Sequence, residues 1–292
     1  AGGFVSPRRL GVTAAVATRL AWEHFKAAAH LAYQGTWDMY KTPSAGGWTR
    51  ENAFRNAWMP SLSLYYSPVE WLETSAYVKR SYRLPSFNDL YYTLMGNSSL
   101  LPESAFQTAV DIRINHRFGK ITLEGRLSPY FNIVDNKIVA LPTSSQFRWT
   151  MLNIGRADIT GLDVKLSAGY EGEGWGITIT PRYTFQRALD HSSEKSLTWG
   201  NQIPYIPLHS GSMDVSAFWG KWNLTCETTF TGERWSTSAN TDDYHIDPWT
   251  TTDISVEKSF TLPFIKASRH RFTASLRCNN LLGRQYQIVQ GY

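Results

Sequence analysis

From Ile121 to Ile133 the chain alternates. Odd positions carry Ile121, Leu123, Gly125, Leu127, Pro129, Phe131 and Ile133, and even positions carry Thr122, Glu124, Arg126, Ser128, Tyr130 and Asn132. One face is apolar and the other bears charge at a period of two, the signature of a strand between unlike environments. Residues 175–186 repeat the pattern, with Trp175, Ile177, Ile179, Pro181, Tyr183 and Phe185 against Thr178, Thr180, Arg182, Thr184 and Gln186. Further on, Trp222, Leu224, Cys226, Thr228 and Phe230 oppose Asn223, Thr225, Glu227, Thr229 and Thr231. Phe272, Ala274, Leu276 and Cys278 then oppose Arg271, Thr273, Ser275 and Arg277. Weaker versions cover 11–23, 25–40, 54–66, 71–82, 107–118, 150–170, 205–219 and 249–260. Together these predict about twelve strands, many longer than the usual five or six residues.

The connections alternate too. Tight turns are predicted at Glu23-His24, Ser67-Pro68-Val69, Phe118-Gly119-Lys120, Glu171-Gly172-Glu173-Gly174 and Gly220-Lys221. Between them lie long loops over 41–53, 83–106, 140–149, 188–204 and 236–248, with 261–268 longer than its tight-turn position predicts. Short turns at one end and long loops at the other describe an all-β, antiparallel up-and-down transmembrane barrel of the outer-membrane kind. A soluble sandwich also alternates, with its apolar face inward. Three features favour the barrel. Strands of about twelve or more residues fit a tilted membrane crossing. Trp22, Trp37, Trp71, Trp175, Trp219, Trp222, Trp235 and Trp249 gather at strand ends, as in interfacial girdles. The polar face carries Glu124, Arg126, Arg182, Asp214, Glu227 and Arg277 along its length, which suits a wet lumen.

Composition sharpens this. Aromatics are 14% of the 292 residues, with 12 Trp and 15 Tyr. Mean hydropathy is −0.33, and no apolar stretch approaches the roughly 18 residues of a membrane helix. That excludes helical spans alone, because an alternating barrel averages to hydrophilic. The net charge of +5, from 29 basic and 24 acidic residues, is spread without a basic stripe, so no nucleic-acid partner is expected. Cys226 and Cys278 lack metal-type spacing. Both fall on apolar faces with one strand between them, a separation of roughly 10 Å that is beyond disulfide reach. The opening AGGFVSPRRL shows neither Met nor a charged-then-apolar leader. Removal of a leader and an origin as an internal piece of a longer protein both fit.

One interruption is distinctive. In SYRLPSFNDLYYTLMGNSSLLPE (81–103), Pro85 ends a strand and Ser86 can cap a short helix with Asp89 at its third position. Leu90, Tyr91 and Leu94 then share a face.

These residues resemble a motif of TonB-dependent outer-membrane receptors. Arg83, Pro85, Phe87, Asp89, Leu90 and Tyr91 stand in its first half, and Gly96, Asn97, Leu100, Pro102 and Glu103 in its second. Asn153-Ile154-Gly155-Arg156-Ala157 through Thr160-Gly161-Leu162-Asp163 is similar to the family's Asn-x-Gly-x-Ala…Gly-x-(acidic) strand. Pro204-Tyr205-Ile206-Pro207-Leu208-His209 is similar to its Pro-x-x-Pro-x-His segment, and Asn279-Asn280-Leu281-Leu282 with Gln285-Tyr286 to the stretch before its last outer loop. The resemblance implies a barrel of the 22-strand type around a plug. Residues 1–292 are then expected to be roughly the C-terminal half of that barrel, starting near the tenth strand, without plug or last strand. The wording Phe87-Asn88-Asp89-Leu90-Tyr91-Tyr92 is similar to that of cobalamin and catecholate-siderophore receptors. The family's topology places every long loop outside the cell and every tight turn in the periplasm. By itself such a chain is expected to form an open curved sheet or a strained closed ring, with two sheet edges to protect.

The implied function is active import of a large, scarce solute, either cobalamin or a ferric chelate such as a siderophore or haem. It is driven by TonB acting through the plug. The implied partners are outer-membrane lipid, the solute and TonB. No cofactor is expected. Ligand-contact candidates on the outer loops are Arg83, Tyr91, Tyr92, Trp149, Trp199, Tyr205, Trp235 and Tyr244, since aromatic faces stack on large planar ligands. Packing against the barrel rim explains the same residues. Asp242, Asp243 and Asp247 are a calcium candidate without the EF-hand spacing, and a solvated loop explains them as well. The lumen charges either line a transport path or pair with one another and with the plug. Two alternatives are a complete twelve-stranded porin and a phospholipase-like barrel. The latter needs a His beside a Ser nucleophile. His30, His116, His191, His209, His245 and His270 are scattered, and His209-Ser210 lies inside the receptor-like segment. No catalytic site is therefore expected.

Overall fold

The alternating segments build one antiparallel sheet of 12 strands, described in a computed structural model over residues 7–44, 47–92, 95–142, 149–261 and 272–290. Its strands are β1 (Arg8–Ala21), β2 (Phe25–Ser44), β3 (Gly47–Val69), β4 (Leu72–Arg83), β5 (Glu103–Phe118), β6 (Ile121–Pro142), β7 (Trp149–Glu171), β8 (Trp175–Asp190), β9 (His209–Trp219) and β10 (Trp222–Thr231). Two short strands, β11 (Arg234–Trp235) and β12 (His245–Ile246), pair with each other, and β13 (Trp249–Phe260) and β14 (Phe272–Cys278) complete the sheet. Each sheet strand pairs with its neighbours in chain order, β10 passing to β13. Among the described residues β1 pairs with β2 alone and β14 with β13 alone, so the sheet is open, one of the two expected forms. Leu94 and most of 261–268 lie outside the described residues.

Register follows the faces. Leu127 pairs with Val164 and Pro129 with Leu162, while Arg126 pairs with Lys165 and Ser128 with Asp163. A slip of one residue would exchange the faces, so unlike environments fix the register. The apolar face has no protein cover: Val16 is 76% exposed, Leu276 76% and Trp219 77%. Trp22, Trp71, Trp175, Trp219 and Trp222 sit beside the tight turns. On the polar face charges pair with one another, Arg126 with Asp111 (2.6 Å), Arg113 with Glu73 (3.1 Å), Arg277 with Asp253 (3.1 Å) and Arg182 with Asp214. Cys226 and Cys278 are both free, and each stands opposite Ile254 on the intervening strand.

Three expectations are corrected. The region 41–53 is no open loop, because β2 and β3 stay paired to Ser44 and Gly47. Likewise Ala140 to Pro142 pair with Met151 to Trp149 in place of a loop over 140–149. The segment 205–208 is not strand, since β9 starts at His209. Pro204 and Pro207 offer no N–H to a ladder, and Tyr205 adopts φ 61°, which breaks the extended run.

Candidate functional site

Both buried apolar clusters lie at the long-loop end, where loops fold back onto the wall. The first is the loop between β4 and β5, with its helix α1 (Phe87–Tyr91). Ser86 caps it reciprocally: its Oγ accepts the Asp89 N–H (3.1 Å) and the Asp89 carboxylate accepts the Ser86 N–H (2.8 Å). Leu90 and Leu100 bury against Ile138, with Phe87, Tyr91 and Met151 packed around them. Arg83 donates to Glu103 (2.9 Å) and Asp89 (3.4 Å), and Glu103 also accepts the Ile138 N–H (2.6 Å). Across the loop, Arg9 donates to the Pro85 carbonyl (3.1 Å) and lies over the Phe87 ring at 5.0 Å. Asp38, 3% exposed, accepts from Arg9 at 2.6 Å and from Arg55 at 2.9 Å. The loop thus bridges from the β1–β3 wall to the β6–β7 wall.

This geometry explains the motif residues. Asn97 donates to the Met151 carbonyl (2.9 Å), and Asn153 donates to the carbonyls of Leu101 (3.0 Å) and Asn136 (2.7 Å). The Leu101 N–H returns a bond to Asn153 Oδ1 (2.8 Å), so two motifs far apart in sequence dock on each other. A Cβ at Gly96 would meet the Tyr92 nitrogen at 2.5 Å. Of the first three candidates, Arg83 and Tyr91 hold the loop. Tyr91 lies near Tyr40 (5.9 Å) and Phe87 (6.0 Å), and burial pushes its phenol up. Tyr92 is 51% exposed.

The second assembly joins three segments. Ile203 and Ile206 pack on Val134, Ala157, Ile159 and Ala188. Gln202 donates to the Gln186 (3.2 Å) and Ile206 (3.3 Å) carbonyls, and its own backbone exchanges bonds with the Asn240 amide (2.7 and 2.9 Å). Arg234, 4% exposed, donates to the carbonyls of Gln287 (2.6 Å) and Ile288 (3.2 Å), and burial pulls its guanidinium below the usual value. Ser236 bonds Gln290, and Trp249 stacks on Tyr286 at 4.3 Å.

Four candidates meet here. The Tyr205 N–H donates to the Trp235 carbonyl (2.7 Å), and its ring lies 5.7 Å from Trp149, on the polar-face parity of β7. Trp235 meets His245 edge-on at 6.1 Å, and the Tyr244 carbonyl accepts the Ser236 N–H (2.9 Å). Burial raises the Tyr205 phenol, against the bonds to Ser236 and Gln290. Trp199 stands elsewhere, 4.6 Å from His191, which in turn bonds Asp158 (2.8 Å). Sequence reasoning missed Arg234, Gln202 and Asn240, for which only a polar residue in a long loop was a signal. The three aspartates do not converge on one point. Asp242 and Asp243 lie in a short 3-10 turn, while Asp247 faces His245 at 3.5 Å. Among the described residues no group of three or more His, Cys, Asp or Glu side chains is gathered so as to hold a metal ion.

Residues 9–281 match the family model described as TonB dependent receptor-like, beta-barrel. The chain belongs to this family. In such a receptor barrel the polar face is the inner wall, and the clusters above are loops folded over it. Among similar proteins are the vitamin B12 transporters BtuB of Vibrio vulnificus, 25% identical over 80% of this chain, and of Photobacterium profundum, 25% identical over 68%. The chain covers 34% and 30% of their lengths, so it spans about a third of the curated relatives it matches. The fold is similar to that of the ferric citrate transporter FecA, with a TM-score of 0.71 at 15% identity over 96% of this chain and 41% of that one. It is equally similar to the siderophore receptor PiuA of Acinetobacter baumannii, with 0.71 at 12% over 97% and 40%.

Proposed function

We propose that residues 1–292 are part of the wall and outer loops of an outer-membrane receptor that imports cobalamin or a ferric chelate, driven by TonB through a plug. Loops folded over the inner wall support this reading, because they bring the Trp149 and Tyr205 rings together above a charged lumen, with the Trp235 backbone bonded to Tyr205 beside them. Aromatic faces in such a mouth can stack on a large planar solute. Tyr92 and Tyr244, both exposed at the same end, extend the contact surface. The paired wall charges keep the lumen wet without fixing a solute there.

The test uses the full-length protein that carries this chain. Cobalamin and ferric siderophore binding are measured by titration on the purified receptor and on Tyr205→Ala and Trp149→Ala variants. One of the two ligand classes should bind, and each variant should weaken it about tenfold, the loss of one aromatic contact of roughly 1.5 kcal/mol. Binding of neither class, or binding indifferent to both substitutions, contradicts the reading.

A further inference from the structure

Among the described residues four buried side-chain polar atoms have no hydrogen-bond partner, and three of them belong to one assembly: Arg234 Nη1, Thr237 Oγ1 and Trp249 Nε1. All three are anchored on the stretch 286–290. Arg234 donates to the Gln287 and Ile288 carbonyls, Trp249 stacks on Tyr286, and Ser236, next to Thr237, bonds Gln290. Both of those Arg234 bonds leave from Nη2, so the N–H groups of Nη1 stay unspent in a residue only 4% exposed.

The charge is unmatched as well. The surrounding loop carries Glu233, Asp242, Asp243 and Asp247. Glu233 and Asp247 flank His245 at 3.3 and 3.5 Å, and no described carboxylate forms an ion pair with Arg234. Tyr205 does not supply the charge either, because burial raises its phenol and keeps it neutral. Asp38, equally buried, shows the contrast by holding two arginines. A buried ion without a counter-charge is strongly unfavourable, and buried donors without acceptors add to the cost.

We propose that Arg234, Thr237 and Trp249 form a closed site for one small monovalent anion of the chloride class. The three side chains offer N–H and O–H donors and no anionic acceptor, which suits a spherical anion. One uncompensated guanidinium matches one negative charge. Water would satisfy the donors but leave the charge unmet. The bound ion ties the 286–290 stretch to β11, whose Trp235 carbonyl accepts the Tyr205 N–H at 2.7 Å. Anion occupancy therefore controls the order of the segment that holds Tyr205.

The full-length protein that carries this chain is purified in detergent and exchanged into sodium gluconate, whose anion is too large for an enclosed site. Chloride then replaces gluconate at constant ionic strength. Binding is read as broadening of the chloride NMR line, and loop order as hydrogen exchange of the 286–290 amides. The wild type should broaden the line and protect those amides as chloride rises. Arg234→Met should abolish both responses, while Lys165→Gln on the inner wall should change neither. Heat-modifiable gel migration shows whether each variant is folded. Trp249→Phe and Thr237→Val keep Arg234 and serve if Arg234→Met does not fold. Each should weaken chloride about tenfold, the worth of one hydrogen bond to a charged group. A wild type without chloride-dependent broadening and protection overturns the site. So does a response that folded Arg234→Met, or either folded donor variant, leaves unchanged.

Discussion

Gly161 has no room for a side chain. Tyr130 pairs with it across β6 and β7, and its ring occupies the space that a Cβ would take. An aromatic laid over a strand glycine covers backbone that would otherwise be bare. Gly161→Val should destabilise the barrel by about 1–3 kcal/mol, read as a lower temperature at which the folded gel band is lost. Asp38 is the second such point, nearly buried and holding two arginines. Asp38→Ala should cost about 2–3 kcal/mol, since it leaves charged donors without their acceptor. The same gel assay checks it, and an unchanged melting temperature would show that Arg9 and Arg55 find other partners. At this scale sequence revealed residue types but not groupings. Trp149 and Tyr205, outer aromatics by sequence, lie with their rings 5.7 Å apart, and Trp235 touches Tyr205 through its backbone carbonyl. Trp199, an outer aromatic of the same kind, lies instead beside His191, because loop paths decide contacts and no periodicity encodes a loop path.

The cap of α1 was legible because its chemistry is local: a serine, three residues, a carboxylate. Ser86→Ala should loosen that helix by about 1 kcal/mol, seen as faster hydrogen exchange at Asp89 and Leu90 with little change in global melting. Leu100, buried at the centre of the loop cluster, is a deeper support. Leu100→Ala should cost about 2–5 kcal/mol locally and open 95–102 to limited proteolysis that the wild type resists. The hairpin tops were not legible. Between Lys41 and Arg50 the strands stay paired, yet the sequence there carries a proline, two adjacent glycines and no apolar alternation, so nothing in it announces a strand. Residues 205–208 fail the other way. Their alternation is genuine, yet two prolines and a left-handed tyrosine end the ladder.

At the scale of the molecule, the number and order of strands were legible from the alternation alone, and the family from four motifs in order. Among the described residues the sheet is open, and β1 and β14 each present one edge without a ladder partner. If the chain is about half of a plugged 22-strand barrel, an immunoblot of outer membranes with antibody to the 242–247 loop should show a band at about twice 33.2 kDa. A stable band near 33.2 kDa would instead support a complete twelve-strand barrel. The most direct test of the importer itself is uptake of labelled cobalamin and of labelled ferric siderophore by cells with and without the full-length protein, before and after a protonophore. Uptake of one of the two that needs the protein and stops when the proton gradient is lost is the expected result. Entry that persists without the gradient, or no entry of either, would contradict it.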